Sequence, residues 1–370
     1  MQQQQVNFDP WLLFSVLTII ALGFIMVASA SVPVAERMHL PMLHFAWHQG
    51  VYIGVGLIAA WIITYVPISY LQRYSPVLLL ASSLLLIVLL IPGVTRPING
   101  SLRWLFIGPI SVQPSELAKV SMILYIASYM VRRNYQLVNS FQGFMIPLVV
   151  LSSVSLLLML EPDFGAVVVM STTILGMLFL GGVRVRHFLV LLPVILSVML
   201  FLAFSSSYRV QRFIAFRDPW ADQFDSGYQL VQSLIAFGRG SWFGSGLGGS
   251  IQKLLYLPES HSDFIFAVLA EELGLFGVLG VLMLYGIFAF RSMEIGRKAK
   301  AAGLDYGGNV AYGIGLLISL QTVVNICVNV GLLPTKGLTL PLMSAGGSSM
   351  IVACIAVGLL FRIDYETRVS

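Results

Sequence analysis

Apolar residues fall into ten long runs separated by short polar clusters, at approximately 11–30, 46–65, 75–92, 114–131, 144–160, 164–181, 187–205, 263–290, 308–332 and 341–361. Each run is near the ~20 residues an α-helix needs to cross a ~30 Å hydrocarbon core. No stretch shows the ten-residue alternation of a membrane β-barrel strand. The pattern predicts an all-α, polytopic membrane protein with about ten transmembrane helices. The connection Glu161-Pro-Asp-Phe-Gly165 makes the fifth and sixth runs a tight pair. The stretch before Pro10 lacks the basic region and small-residue cleavage site of a signal peptide, so the first run is expected to stay as a span.

Lys and Arg in the short loops orient the chain. With both termini cytoplasmic, eleven basic residues, the first Arg73 and the last Arg368, fall inside; only Arg37, Arg96, Arg103 and Lys336 fall in short outer loops. The large loop 206–262, between helices 7 and 8, is then extracytoplasmic. It is the only non-membrane segment long enough to fold, so residues 1–370 read as one transmembrane domain. Within the loop, apolar residues at 230, 231, 234, 235 and 237 predict a short amphipathic helix lying on the outer interface. Composition agrees with the pattern: 58% of the 370 residues are hydrophobic and 10% are charged, far from a soluble domain. The net charge of +5 is dispersed rather than gathered into a patch, so no nucleic-acid partner is expected. Cys327 and Cys354 lie in apolar runs and read as small packing residues; neither a disulfide framework nor a zinc set is available.

Candidate chemistry gathers where the polar residues Glu259 to Asp263 run into the eighth span. Asp263 suits a general base, a metal ligand or a proton carrier, and equally a helix-capping acid, a task Ser262 could share. Eight residues on, Glu271 is rotated only ~80° from Asp263, whereas Glu272 faces the opposite side. Carboxylates at that depth either pair with other helices or face a polar cavity. Glu116 and Lys119, three apart, make an ion pair or line a pocket. Arg103, beside the interfacial Trp104, is by itself a headgroup contact. Gly244-Ser-Gly-Leu-Gly-Gly249 fits the dinucleotide fingerprint in letters but has no βαβ context, and reads as flexible loop turns. The histidines at 39, 44, 48 and 261 lack metal-ligand spacing. These residues fit a lipid-linked substrate with an anionic headgroup, and equally an ion-coupled transporter.

Six blocks resemble the SEDS family (shape, elongation, division and sporulation): Gln113-Pro-Ser-Glu-Leu-Ala-Lys119, Glu161-Pro-Asp-Phe-Gly165, Tyr208-Arg-Val-Gln-Arg212, Gly227-Tyr-Gln-Leu-Val-Gln-Ser233, Leu257-Pro-Glu-Ser-His-Ser-Asp-Phe-Ile-Phe-Ala267 and Pro341-Leu-Met-Ser-Ala-Gly-Gly-Ser-Ser349. They occur in the family's order across nearly the whole chain. Asn99-Gly-Ser-Leu-Arg-Trp104 and Gly331-Leu-Leu-Pro-Thr-Lys-Gly-Leu-Thr339 resemble its cell-division branch more than its elongation branch. The resemblance implies a peptidoglycan glycosyltransferase of the bacterial cytoplasmic (inner) membrane, acting at the septum. It would polymerise lipid II into glycan, release undecaprenyl pyrophosphate, and partner a class B penicillin-binding transpeptidase and other divisome membrane proteins. The family's essential aspartate matches Asp263; its other pocket residues match Arg103, Glu116, Lys119 and Glu271. A divalent cation, Mg or Mn, held at Asp263 is part of the expectation, and an organic cofactor is not. Ser262 stands where the family often has Thr, Ala345 where Tyr is expected, and Glu161 where Gln is commoner. The rival readings are a lipid II flippase, an elongation-type polymerase and a division scaffold. A reconstituted protein that moves lipid II between leaflets without making glycan favours the flippase, and cells that still divide with Asp263→Ala favour the scaffold.

Overall fold

The computed structural model describes residues 8–95, 103–107, 110–191, 193, 197, 216–225, 227–334 and 337–369. Three helices come first: α1 (Pro10–Arg37), α2 (His44–Ile63) and α3 (Ile68–Leu89). A two-stranded antiparallel hairpin, β1 (Leu105–Ile107) and β2 (Ile110–Val112), precedes α4 (Pro114–Arg132). The short α5 (Asn134–Asn139) leads to α6 (Phe141–Leu160) and α7 (Phe164–Leu180). After the large loop's own helix, α8 (Tyr228–Gly240), come α9 (Ile265–Ala301), α10 (Asp305–Asn329) and α11 (Gly347–Val369). Among the described residues, seven helices are long and apolar enough to cross a membrane. Helix α7 is shorter, at 17 residues, and in α4 the polar Glu116 and Lys119 interrupt the apolar run. The seventh predicted span, 187–205, the residues Tyr208, Arg209, Arg212 and Phe213, the stretch Ile98 to Leu102, and Lys336 lie wholly or mostly outside the described residues.

Local rules set the starts of two spans. Asp9 caps α1 by accepting from the Leu12 amide at 2.9 Å, with Pro10 in the first turn. Asp163 caps α7 by accepting from the Ala166 amide at 3.2 Å. Helix α10 packs against α9, α7 and α4, while α11 lies along α2. At one end of the bundle Asp9 pairs with Arg291, and Asp364 pairs with Arg368. At the other end α4, α7, α9 and α11 begin, and polar residues around their starts meet through hydrogen bonds.

The eighth span differs most from expectation. It runs on to Ala301, so Arg291, Arg297, Lys298 and Lys300 are helical rather than in a loop, and it is broken at Gly274 (φ 66°, ψ −165°). A break at membrane depth frees backbone groups that lipid cannot satisfy. The loop after α8 satisfies them: Ser245 and Gly246 amides donate to the Glu271 and Glu272 carbonyls at 2.9 and 3.0 Å, and Leu275 and Phe276 amides donate to Ser241 and Trp242 carbonyls at 2.9 and 3.3 Å. Of the glycines read as flexible turns, Gly244 is required for contact: a Cβ there would lie 2.1 Å from the Glu272 carbonyl oxygen, whereas Gly246 and Gly248 face open space. Helix α8 also departs from a purely interfacial placement. Leu230, Val231 and Ala236 are buried, and Phe237 packs on Phe266 of α9 with ring centroids 5.9 Å apart.

Two alanine substitutions separate contact from conformation. Gly244→Ala combines positive φ with a backbone clash and is expected to destabilise by about 3 kcal/mol or more. Gly246→Ala has the same sign of φ (88°) but open space around its Cβ, and is expected to cost about 1 kcal/mol. Thermal unfolding in detergent decides; equal losses would contradict the packed-loop account.

Candidate functional site

Asp263 lies two residues before α9, at the close of a tight turn. The Glu259 carbonyl accepts from the Ser262 and Phe264 amides, both at 3.2 Å, and the Glu259 carboxylate accepts from the Ser262 hydroxyl at 2.7 Å. Glu259 has positive φ (56°), the strain that this turn requires. The non-helical segment 337–346 runs alongside. Its Ser344 hydroxyl donates to the Ser262 carbonyl at 2.7 Å, and its Ala345 amide donates to the His261 carbonyl at 3.0 Å. Ala345, where Tyr was expected, therefore contributes a backbone group that any residue but proline supplies. From α10, Asn325 and Asn329 donate to the Asp263 carbonyl at 2.9 and 3.1 Å.

Arg103 approaches from the hairpin side. It donates to the Pro162 carbonyl and sits 4.0 Å from the Asp163 carboxylate. A Cβ on Gly337 would lie 3.1 Å from Asp263 Oδ2 and 3.9 Å from Arg103 Nη1, so both groups close on the same glycine. Burial, reinforced by Glu259 and Asp163 and opposed by Arg103, pushes the Asp263 carboxyl up to about 7. Glu161 is a second perturbed acid that sequence reasoning noted only as a substitution. It is 1% exposed, neither carboxyl oxygen has a hydrogen-bond partner, and burial beside Asp163 pushes it up to about 8. Burial holds the His261 imidazole below its ordinary range, and its ring packs on Phe45 at 5.2 Å between centroids, a loop-ordering position.

Lys119 and Glu116 stand one hydrogen-bonded step behind. The Lys119 ammonium, 1% exposed, donates to Glu116 and to Gln321 of α10, both at 2.9 Å, and Gln321 donates onward to the Thr339 carbonyl at 3.0 Å. Glu271 is elsewhere. Its carboxylate accepts from the Ser250 hydroxyl at 2.5 Å and the Ile251 and Gln252 amides at 3.1 and 3.2 Å, and pairs with Arg239 at 3.0 Å. It is the anchor of the loop that patches the broken helix. Glu272, the next residue, pairs with Lys253 of the same loop at 2.7 Å. Among the described residues no group of three or more His, Cys, Asp or Glu converges to hold a metal. Asn325, Asn329, Gln321 and Asp163 were missed because mid-span amides and a helix cap look structural in isolation; the four-residue spacing of the amides was the available signal.

Comparison with known proteins places this geometry in context. The family model for cell cycle proteins of the FtsW, RodA and SpoVE type matches residues 10–369. The probable peptidoglycan glycosyltransferase FtsW of Nitrosococcus halophilus is 52% identical over 360 residues, spanning 97% of this chain and 93% of that protein. The Legionella pneumophila protein of the same name is 50% identical over 361 residues, spanning 98% and 92%. Among solved structures, a chain from a peptidoglycan synthase complex that coordinates polymerization and crosslinking is 29% identical, covers 98% of both chains and has a TM-score of 0.78. The rod shape determining protein RodA of Thermus thermophilus is 28% identical, with 97% coverage of both and a TM-score of 0.71.

The buried Glu161 makes stability depend on pH. Its folded value lies above its ordinary 4.5, so its contribution is complete below 4.5 and is lost as pH rises through about 8. The thermal midpoint of the wild type is expected to fall between about pH 5 and 8 and then level, and that of Glu161→Gln to fall less. Parallel pH profiles for the two proteins would remove Glu161 as the cause.

Proposed function

The chain belongs to the FtsW, RodA and SpoVE family of cell cycle proteins, and from that premise we propose that it is a peptidoglycan glycosyltransferase serving cell division. Its substrate in this reading is lipid II, polymerised into β-1,4 glycan at the outer face of the cytoplasmic membrane at the septum. A class B penicillin-binding transpeptidase is its partner. The names of its full-length relatives support the activity, and the likeness to a synthase complex supports a crosslinking partner. The Lys and Arg distribution supports the outward orientation.

The observation that carries the mechanism is Asp263: a half-buried carboxyl with a value raised to about 7, beside Arg103 and backed by fixed amides. A base poised near the working pH combines sufficient ionisation with sufficient basicity. The Asp263 carboxylate takes the proton from the 4-hydroxyl of the acceptor GlcNAc as that oxygen attacks the anomeric carbon of the donor MurNAc. The bond from that carbon to the pyrophosphate oxygen breaks, its electron pair leaves with undecaprenyl pyrophosphate, and the anomeric centre inverts. Arg103 is a quarter exposed and its buried Nε lacks a partner, so its guanidinium can turn to the departing pyrophosphate. Lys119 acts from behind, its charge balanced by Glu116. The flippase reading would use Glu116 and Glu271 as proton carriers, but both are already ion-paired, at 2.9 and 3.0 Å.

Polymerisation of lipid II by purified protein tests the proposal. Asp263→Asn is expected to lower the rate about 100-fold or more, and full activity in that variant would remove the base. In the wild type the rate should rise with pH through about 7 and then level, because only the ionised carboxyl accepts the proton.

A further inference from the structure

We infer that Gln321, Asn325 and Asn329 form a positioning stripe on α10 that fixes the Asp263 main chain and its spacing from Lys119; this rests on the reading of Asp263 as the base. The four-residue steps put all three amides on one helix face. They are 4%, 2% and 0% exposed respectively, and none touches the reacting atoms.

The need for them starts at the Asp263 carbonyl. In an uninterrupted helix it would accept from the Ala267 amide, but that amide donates instead to Phe264 at 3.1 Å. The carbonyl is left outside the helix ladder, and the two asparagine amides take it up. Asn325 uses the same NH2 to hold the Leu338 carbonyl at 2.6 Å, so one side chain ties the base's main chain to the segment facing it. Asn329 donates also to the Asn325 carbonyl at 2.9 Å, bracing the pair against the helix itself. Gln321 is both donor and acceptor: its NH2 holds the Thr339 carbonyl and its oxygen receives the Lys119 ammonium. A carboxylate could not donate and a leucine could do neither. Three buried amides in a membrane helix cost stability wherever a bond is left unmade, as at Asn329 Oδ1, which has no partner. The bonds that are made tie the Asp263 carbonyl, the segment at Leu338 and Thr339, and the Lys119 ammonium to one face of α10. The Ser233 hydroxyl donates to the Asn329 carbonyl at 2.7 Å, extending the frame to α8.

The test uses the full-length protein with its transpeptidase partner and lipid II. Asn325→Leu plus Asn329→Leu keeps approximate volume while removing the donors. It is expected to lower kcat about 100-fold with KM little changed, and to move the midpoint of the pH–rate profile, because the Asp263 carboxyl is no longer fixed against Arg103. A purely structural role would lower the thermal midpoint while leaving kcat per folded molecule and the pH midpoint at wild-type values, and that outcome overturns the inference. If the double variant does not fold, Asn329→Ala, which leaves Asn325 on the carbonyl, decides: a several-fold fall in kcat with retained thermal midpoint supports the stripe, and wild-type kcat overturns it. Asp263→Asn is measured alongside. An inactive Asp263→Asn with fully active amide variants defeats only the positioning role, whereas an active Asp263→Asn defeats the base assignment beneath it.

Discussion

A peptide group at membrane depth has no water to turn to, and each irregular stretch at the site end of this bundle is shaped by that requirement. Where α9 breaks at Gly274, the loop 241–246 enters and pairs with the carbonyls and amides on both sides of the break. Where the Asp263 carbonyl falls outside the helix ladder, asparagine amides from α10 supply what the helix does not. The polar pocket is therefore a consequence of non-helical backbone: departing from the helix frees a carboxylate to face the pocket, and the surrounding side chains are those that make the departure tolerable. This explains why so many buried polar residues act on main-chain atoms rather than on one another.

Charge follows the same logic at two places with different outcomes. Around Glu271 and Glu272 each acid has its own base and its own donors, with Glu272 Oε2 left without a hydrogen bond, and the cluster serves as structure. Around Asp263 the balance is left open. Asp163 is engaged as a helix cap, Glu161 has no partner, and the Arg103 guanidinium is held mainly by a carbonyl. An incompletely neutralised set of groups in a poorly solvated site is costly for folding and favourable for a substrate that brings its own charge and hydroxyls. That contrast separates the two acidic regions more clearly than their depth or helix position does.

Most of the helical plan was legible because hydrophobic runs of membrane length are a strong signal, and the spans at 46–65, 114–131 and 164–181 lie within a few residues of α2, α4 and α7. Periodicity set Glu271 apart from Glu272, yet both are ion-paired in the same region. It did not separate Glu271 from Asp263, because extrapolating one helix from 263 onward assumes a ladder that in fact begins at Ile265 and is interrupted nine residues later. A glycine inside an apolar run carries no mark of whether it sits in a helix or breaks one; here the decision lies in contacts with residues some thirty positions upstream. The roles of Asn325 and Asn329 were hidden for the same reason, since what they bind is a backbone oxygen, and sequence does not display which carbonyls a fold leaves unmatched. The hairpin before α4 likewise follows from tertiary placement, as its strands are only three residues each.

The break in α9 has a mechanical consequence. Thirty-seven residues of continuous helix would make a rod about 55 Å long, and tilting such a rod by a few degrees at one end would sweep the other through several ångströms, more than a proton transfer tolerates. With the break at Gly274, the nine residues that follow the site and the first residues of the remainder are both stitched to the loop 241–246. The acid thus sits at the head of a short helical segment whose far end is pinned by that loop, rather than at the tip of the longest rod in the molecule.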